Sequence, residues 1–464
     1  MNRLPLLVTL LGLGLATTAQ AQRLHLEADS LRLVQARAQQ QHNMLLVVVA
    51  APPPPASFSA EQRRQRSQSG LTEPVVVRAL GADVLVKEVP FGSAEAGRLG
   101  REYAITSYPT YLYFAPDGAL LHRRFGNAAS PQPYLQDLAA ARQELANPHN
   151  LSYYQAEYAR GNRDPALLHD YLAKRQQLSQ PAPPALLDTY AEQLPAKAFE
   201  RGADVQFILA QGPTVGSRAF QLTHLNQQVI DSLYRVLPLA ERMAINNRII
   251  SRTIAEAVAT RSQALAHQGA SFAQSTWSRD YQHGARAYQR NMLDFYRLIK
   301  DTTSYLRQAS NFYQQYYMRI PADSARKALA AQQAQQQEQL AARQRLAAAG
   351  GFRPGTTVVA TTVRRAGPEP AFVNELNTGA WNVYLTGTRN REYLLRAVEW
   401  SKRTVDLAPR AAYYDTLAHL LYRLRFFAEA EAMQQQAVAQ APAEQLDAGQ
   451  FAQELARMKA RQPL

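Results

Sequence analysis

Six apolar residues, Met44 to Val49 (MLLVVV), lead through Ala50 and Ala51 straight into four consecutive prolines, Pro52 to Pro55. A run that short, apolar and rich in β-branched side chains predicts a buried strand. The prolines end it, because they offer no backbone donor and hold φ at about −65°. A strand of this kind belongs in the middle of a sheet, and the residues before it supply a cover. Leu31, Val34 and Ala38 recur at helical spacing within residues 27–41.

Beyond the prolines the pattern alternates. Ser59, with Gln62 three residues on, is an N-cap for a helix running to Ser69. A short helical segment follows at Val75 to Leu80, then a strand at Val84 to Val89 and a helix from Ser93 to Tyr103. Two apolar runs, one ending at Tyr111-Leu112-Tyr113-Phe114 and one from Ala119 to Phe125, flank Ala115-Pro116-Asp117-Gly118. That is the pattern of a β-hairpin closed by an Asp-Gly turn. A helix from Pro131 to Ala146 closes the unit. The order helix, strand, helix, strand, helix, hairpin, helix calls for an α/β sandwich with helices on both faces of the sheet.

The rest of the chain reads differently. Residues 147–349 carry apolar positions at steps of three and four: Leu167, Leu168 and Tyr171; Leu222, Leu225, Val229, Leu233 and Val236; Tyr288, Met292, Phe295 and Leu298. This predicts an all-α helical array, ending in one long, mostly solvated helix over 326–349. Residues 350–370, with five Gly and Pro after Gly350-Gly351, read as a linker. In 371–464, Trp381, Ala397 and Pro409 are matched 33 positions later by Tyr414, Ala430 and Pro442. Each unit so defined has an aromatic in a first helix, a small residue where a second helix packs on it, and a helix-ending proline. The spacing and residues resemble two tetratricopeptide units, with Ala448 to Lys459 as the polar cap such arrays need.

Residues 1–21 read as a cleaved signal peptide: basic Arg3, the apolar run Leu4 to Ala16, then Ala19-Gln20-Ala21 as a small-x-small cleavage site. The expected location is the periplasm or the outside of the cell, with no integral membrane segment after cleavage. There is no cysteine to lipidate or to staple the fold. The remaining ~440 residues exceed what one hydrophobic core organises, so two or three domains are expected. The formal charge of +14, from 51 Lys and Arg against 37 Asp and Glu, is spread without a basic block. It suits acidic partners outside the cytoplasm, not nucleic acid.

Two motifs carry a resemblance over residues 22–146. Ala51 to Phe58 (APPPPASF) aligns without a gap to the Ala-Pro-Trp-Cys-Gly-Pro-Cys-Lys loop of thioredoxins, with Pro54 and Ser57 standing where the two redox cysteines would be. Ser107-Tyr108-Pro109-Thr110 matches the loop where that family places a cis-proline before a Thr that opens a strand. Residues 22–146 thus resemble a thioredoxin-like domain. The whole chain resembles secreted bacterial thioredoxin-family proteins that join such a domain to a helical region with tetratricopeptide-like repeats. The family's thiol–disulfide chemistry does not carry over, since proline has no nucleophile and serine has no redox couple. What the resemblance does imply is capture of an extended peptide by main-chain pairing beside the cis-proline. The residues concerned are Tyr108, Pro109, Thr110, Pro53, Pro54 and Ser57.

No catalytic, cofactor or metal site is nominated. The nine histidines are scattered, and the chain lacks the HExxH, calcium-loop, phosphate-loop and nucleophile-elbow patterns. The aromatic groups Tyr153, Tyr154 and Tyr158, and Phe312, Tyr313, Tyr316 and Tyr317, are expected in the seams between packed helices. In the repeats Arg396, Lys402, Arg403 and Arg423 are candidates to hold an acidic peptide. The expected function is a non-catalytic protein- or peptide-binding scaffold. The alternatives are a holdase-type chaperone of the cell envelope and an enzyme with an unrecognised site in the helical region.

Overall fold

The computed structural model describes residues 24–53, 68–277, 280–348, 371–444 and 446–464. The leader, the helix expected from Ser59, Pro54, Ser57 and the 350–370 linker lie outside the described residues. The chain divides into two compact units, the first holding residues 24–53 and 68–156 and the second residues 157–464.

The first unit is built on a mixed four-stranded sheet. Its elements are α1 (Leu31–Gln41), β1 (Met44–Val49), α2 (Pro74–Leu80), β2 (Val84–Val89), α3 (Ala94–Glu102), β3 (Thr110–Phe114), β4 (Leu120–Phe125) and α4 (Gln132–Ala146). Strand order is β2-β1-β3-β4. β1 runs parallel to β2 and antiparallel to β3, and β3 pairs antiparallel with β4. All residues of β1 and β3 are buried, so both faces of the central strands are covered. Burying an aliphatic side chain contributes about 1.5–3 kcal/mol, against about 1–2 kcal/mol to order one residue's backbone. A strand buried on both faces therefore favours the fold, which one with a solvated face would not do alone. The hairpin closes as its sequence predicts: Gly118 takes φ 89°, its N–H donates to Ala115 O at 2.9 Å, and the Asp117 carboxylate accepts from Ala119 N–H at 3.0 Å.

The first helix begins later than its sequence suggests. Residues 27–30 are not helical; Glu27 N–H instead donates to Val86 O at 2.8 Å, laying this segment along β2. The apolar spacing starts only at Leu31, so nothing before it rewards a helical turn. Behind the sheet Tyr134 on α4 gathers three partners: Ser69 Oγ at 3.0 Å, Tyr111 Oη at 3.3 Å and the donating Ala128 N–H at 3.0 Å. Burial raises the Tyr111 phenol well above its ordinary pKa, so it stays a donor, and it gives its proton to Asn127 Oδ1.

All the regular elements of the second unit are helical among its described residues. Its helices, with one that begins at its boundary, are α5 (Leu151–Ala159), α6 (Pro165–Gln177), α7 (Pro184–Gln193), α8 (Gly202–Gln211), α9 (Arg218–Thr223), α10 (Gln227–Val236), α11 (Leu239–Thr260), α12 (Gln263–Ser275), α13 (Tyr281–Leu298), α14 (Thr302–Tyr313) and α15 (Ala322–Ala348). They continue with α16 (Ala371–Leu385), α17 (Arg391–Leu407), α18 (Ala411–Arg423), α19 (Phe427–Gln440) and α20 (Ala448–Lys459). The Leu222 to Val236 series is not one stripe. Asn226 accepts from the N–H groups of Gln228 and Val229 and starts a new helix, which leaves Leu225 and Val236 mostly exposed. Ile230 and Leu233 fill the core in their place.

The aromatic group at the end of α14 lies inside. Phe312, Tyr313 and Tyr317 are buried, and a π turn over Gln314–Met318 lets Tyr313 and Tyr317 both face the core. Ala397 and Ala430, the paired small residues of the repeat, are fully buried in α17 and α19. Among the described residues no helix is long and apolar enough to cross a membrane.

Candidate functional site

Three loops of the first unit meet at one end of its sheet because of strand direction. β1 and β2 are parallel and end together at Val49 and Val89, where Ala50 N–H donates to Val89 O at 2.9 Å. β3 runs the other way and begins there, with Thr110 opposite Val49. The segments Ala50–Pro53, Pro90–Gly92 and Ser107–Pro109 therefore emerge at the carboxyl ends of the parallel pair. This is the edge at which open α/β sheets bind ligands.

Each side chain there is positioned by something specific. Thr110 is fully buried, and its hydroxyl donates to Ser107 O at 2.5 Å, which folds the loop back on the strand. The Tyr108–Pro109 peptide is cis, and Pro109 O accepts from Gly126 N–H at 2.8 Å, continuing the β3–β4 ladder by one rung. Tyr108 then leaves the ladder. Its N–H and C=O have no hydrogen-bond partner among the described residues. Its half-buried ring meets Phe91 edge to face, centroids 5.0 Å apart at 89°. Its hydroxyl lies 3.7 Å from the place a Cβ would take on Gly100, so the ring runs along α3. Phe91 is 44% exposed and Pro53 is exposed.

Tyr108, Pro109 and Thr110 thus stand together where β3 begins, and Pro53 lies in the loop that leaves β1 at the same end; Pro54 and Ser57 lie outside the described residues. Phe91 is the residue that sequence reasoning missed. Its signal is present: an aromatic between Pro90 and Gly92, in the turn after a strand, has no neighbour in its own segment to bury it. The arrangement offers two main-chain groups without partners among the described residues, beside an aromatic edge. It can align an extended chain and hold one apolar side chain.

The repeat arginines are placed differently from the sequence expectation. Arg403 donates to Met318 O and Ile320 O, closing the end of the π turn. Arg423 donates to Tyr384 O and lies 3.7 Å above the Tyr384 ring. Arg396 pairs with Glu392 one turn away at 2.8 Å. Two of the four candidates are internal braces, and of the four Lys402 is the exposed cation without such a tie among the described residues. No group of three His, Asp or Glu side chains able to hold a metal occurs among the described residues.

One half-buried carboxyl stands out. Asp415 on α18 accepts from Gln434 at 2.8 Å, and His419, one turn on, donates Nδ1–H to Asp415 O at 2.8 Å with its ring edge-on to Trp381 and Tyr384. Burial raises the Asp415 pKa, with His419 opposing that effect. The unfolded chain therefore gives up this proton at a lower pH than the folded one. Stability is lost as pH rises from the ordinary carboxylate range through the folded pKa, and the loss is then constant. Asp415→Asn keeps the acceptor for Gln434 and removes the charge, so the variant is expected to be more stable than wild type at pH 7. The difference should shrink to nothing as the pH is lowered below about 4, the ordinary Asp range. Thermal melts of both proteins across pH check this, and a constant difference at every pH contradicts it.

No family model, no curated protein and no solved structure matches this chain.

Proposed function

We propose that the chain is an exported, non-catalytic binding protein. In this reading a thioredoxin-like N-terminal unit captures an extended peptide, and the helical region ending in tetratricopeptide-like repeats serves as scaffold. The observation that carries it is Tyr108: an N–H and C=O without a partner among the described residues, at the carboxyl ends of a parallel strand pair and next to a partly exposed Phe91. Backbone groups left free beside an apolar contact are what β-augmentation needs, with main-chain pairing for affinity and side-chain contacts for specificity. The βαβ unit followed by a hairpin supports the fold reading. With no cysteine in the chain, binding has to be the use of such a loop, not disulfide exchange.

The test uses a fluorescein-labelled insulin B chain with alkylated cysteines as an extended probe. Its anisotropy should rise on titration with the protein. Phe91→Ala should weaken binding tenfold or more, since truncating an aromatic anchor at a binding hot spot costs upwards of about 2 kcal/mol. Phe91 is partly exposed, so the variant is expected to fold. Equal binding by the variant, no binding by wild type, or reduction of intact insulin disulfides each overturns the proposal.

A further inference from the structure

A cavity of about 310 Å³ opens in the second unit between the α6–α7 loop, the C-terminus of α8 and α11. Four prolines, Pro181, Pro183, Pro184 and Pro213, form much of its wall and present carbon surface without N–H donors. Into this apolar setting come two guanidinium groups, Arg175 and Arg252. A compact, mostly apolar pocket with a few convergent polar groups has the general form of a small-molecule site.

The cavity is lined by two guanidinium groups and two carboxylates, Asp188 and Glu256, and among the described residues no ion pair joins them. Arg252 donates Nη1 to Gln211 O and Gly212 O, at 2.6 and 3.2 Å, and Nη2 to Ala182 O at 3.0 Å. Arg175 donates Nε and Nη2 to Pro181 O at 3.1 and 2.9 Å, and Arg248 donates to Ala210 O. All three are held by backbone carbonyls. Ion pairs of this region include Arg160–Glu157, His169–Asp170, Arg201–Asp204 and Arg218–Glu192, and among the described residues none takes in these arginines. The two carboxylates that line the cavity accept from neutral donors and not from these arginines. Asp188 accepts from Ala219 N–H at 2.8 Å, and Glu256 accepts from the Thr214 hydroxyl at 2.6 Å. Burial, and then repulsion from Arg248 and Arg175, pushes the Arg252 pKa down to about 10.

We propose that this cavity binds a small amphipathic carboxylate, its head against Arg175 and Arg252 and its aliphatic body against the proline wall. Among the described residues the bonds to carbonyls leave the Nη1 end of Arg175 and the Nε edge of Arg252 without an acceptor. A carboxylate matches guanidinium donors in shape and charge, and the pairing strengthens where apolar walls exclude water. Because the same guanidinium groups brace the α6–α7 loop and the end of α8, occupancy would also stiffen those carbonyl contacts.

Calorimetric titration of the full chain with sodium octanoate at neutral pH tests this, with octanamide as the neutral counterpart and hexanoate as the shorter chain. Octanoate should bind one per chain. Octanamide should bind at least tenfold more weakly, and each methylene removed should weaken binding by about fourfold. Ala255 lines the cavity from an exposed position on α11, so Ala255→Trp should plug it without unfolding the unit and abolish the heat of binding. Ala255→Leu, a smaller plug, should give intermediate weakening. Equal affinity for octanoate and octanamide, undiminished binding in both Ala255 variants, or no heat with wild type overturns the proposal.

Discussion

Gly379→Ala is expected to lower the stability of the helical unit by about 3 kcal/mol or more, the upper end of what overpacking a core costs. An alanine in place of glycine inside an exposed helix would do the reverse, adding about 1 kcal/mol. The sign turns on one contact. A Cβ built on Gly379 in α16 falls 2.3 Å from Cζ of Tyr313, with two further ring carbons at 2.5 and 2.7 Å. That ring has little freedom to withdraw. It is 1% exposed, packs against Trp400 at 4.8 Å and Tyr317 at 5.5 Å, and points its hydroxyl at Glu375, which is itself paired with Arg290. Thermal melts followed by circular dichroism should show a fall of at least ~5 °C in the transition of this unit. Combining Gly379→Ala with Tyr313→Leu removes the overlapping carbons. The double variant should be more stable than the sum of the two single losses predicts, because residues in contact do not add independently. A Gly379→Ala protein as stable as wild type would mean that α16 and α14 separate at little cost.

The parts of this molecule that were legible in its sequence are those decided locally. β1 and β2 have the limits their apolar runs predict, and the hairpin turns at Asp117-Gly118, because strand ends and turns are set by prolines, glycines and side-chain alternation within a few residues. The helix expected from Ser93 to Tyr103 is found as α3, with Ser93 as its cap. What could not be read is whatever depends on partners distant in the chain. Leu225 and Val236 have core-like spacing but no surface to pack on, since the cap at Asn226 rotates the helix that follows. Arg403 and Arg423 look like free cations in sequence, yet each closes a carbonyl more than thirty residues away. The candidate peptide end shows the same division. Tyr108, Pro109 and Thr110 were visible as a motif, whereas Phe91 belongs with them only because β2 ends beside β1.

This division also shows where the fold is most exposed to single substitutions. The second unit's C-terminal helices are held by a few large side chains filling gaps opened by small ones. Trp400 is the largest fully buried side chain and faces Tyr313, while Ala397, Ala418 and Ala430 let the helices around it approach. A small-residue helix contact gains little unless a neighbouring aromatic takes up the remaining volume, so the loss should concentrate in the aromatic.

Trp400→Ala should accordingly cost about 3–5 kcal/mol, the range for removing a buried tryptophan or phenylalanine from a core that collapses only in part. Trp400→Phe should cost far less, and for a reason beyond its size. The indole N–H of Trp400 is buried and has no hydrogen-bond partner among the described residues. An unsatisfied buried donor costs roughly 1–3 kcal/mol, and phenylalanine removes it. That gain opposes the loss of ring volume, which leaves a net change within about 1.5 kcal/mol, as for other swaps that nearly conserve volume. Urea titrations of the two variants, read by circular dichroism, separate the terms because they share the loss of the N–H and differ in the cavity left behind. If Trp400→Phe proves as damaging as Trp400→Ala, the indole nitrogen must be donating to a water enclosed in the core. Ser401 Oγ, the next residue's buried hydroxyl without a partner among the described residues, would then be the first place to look for another.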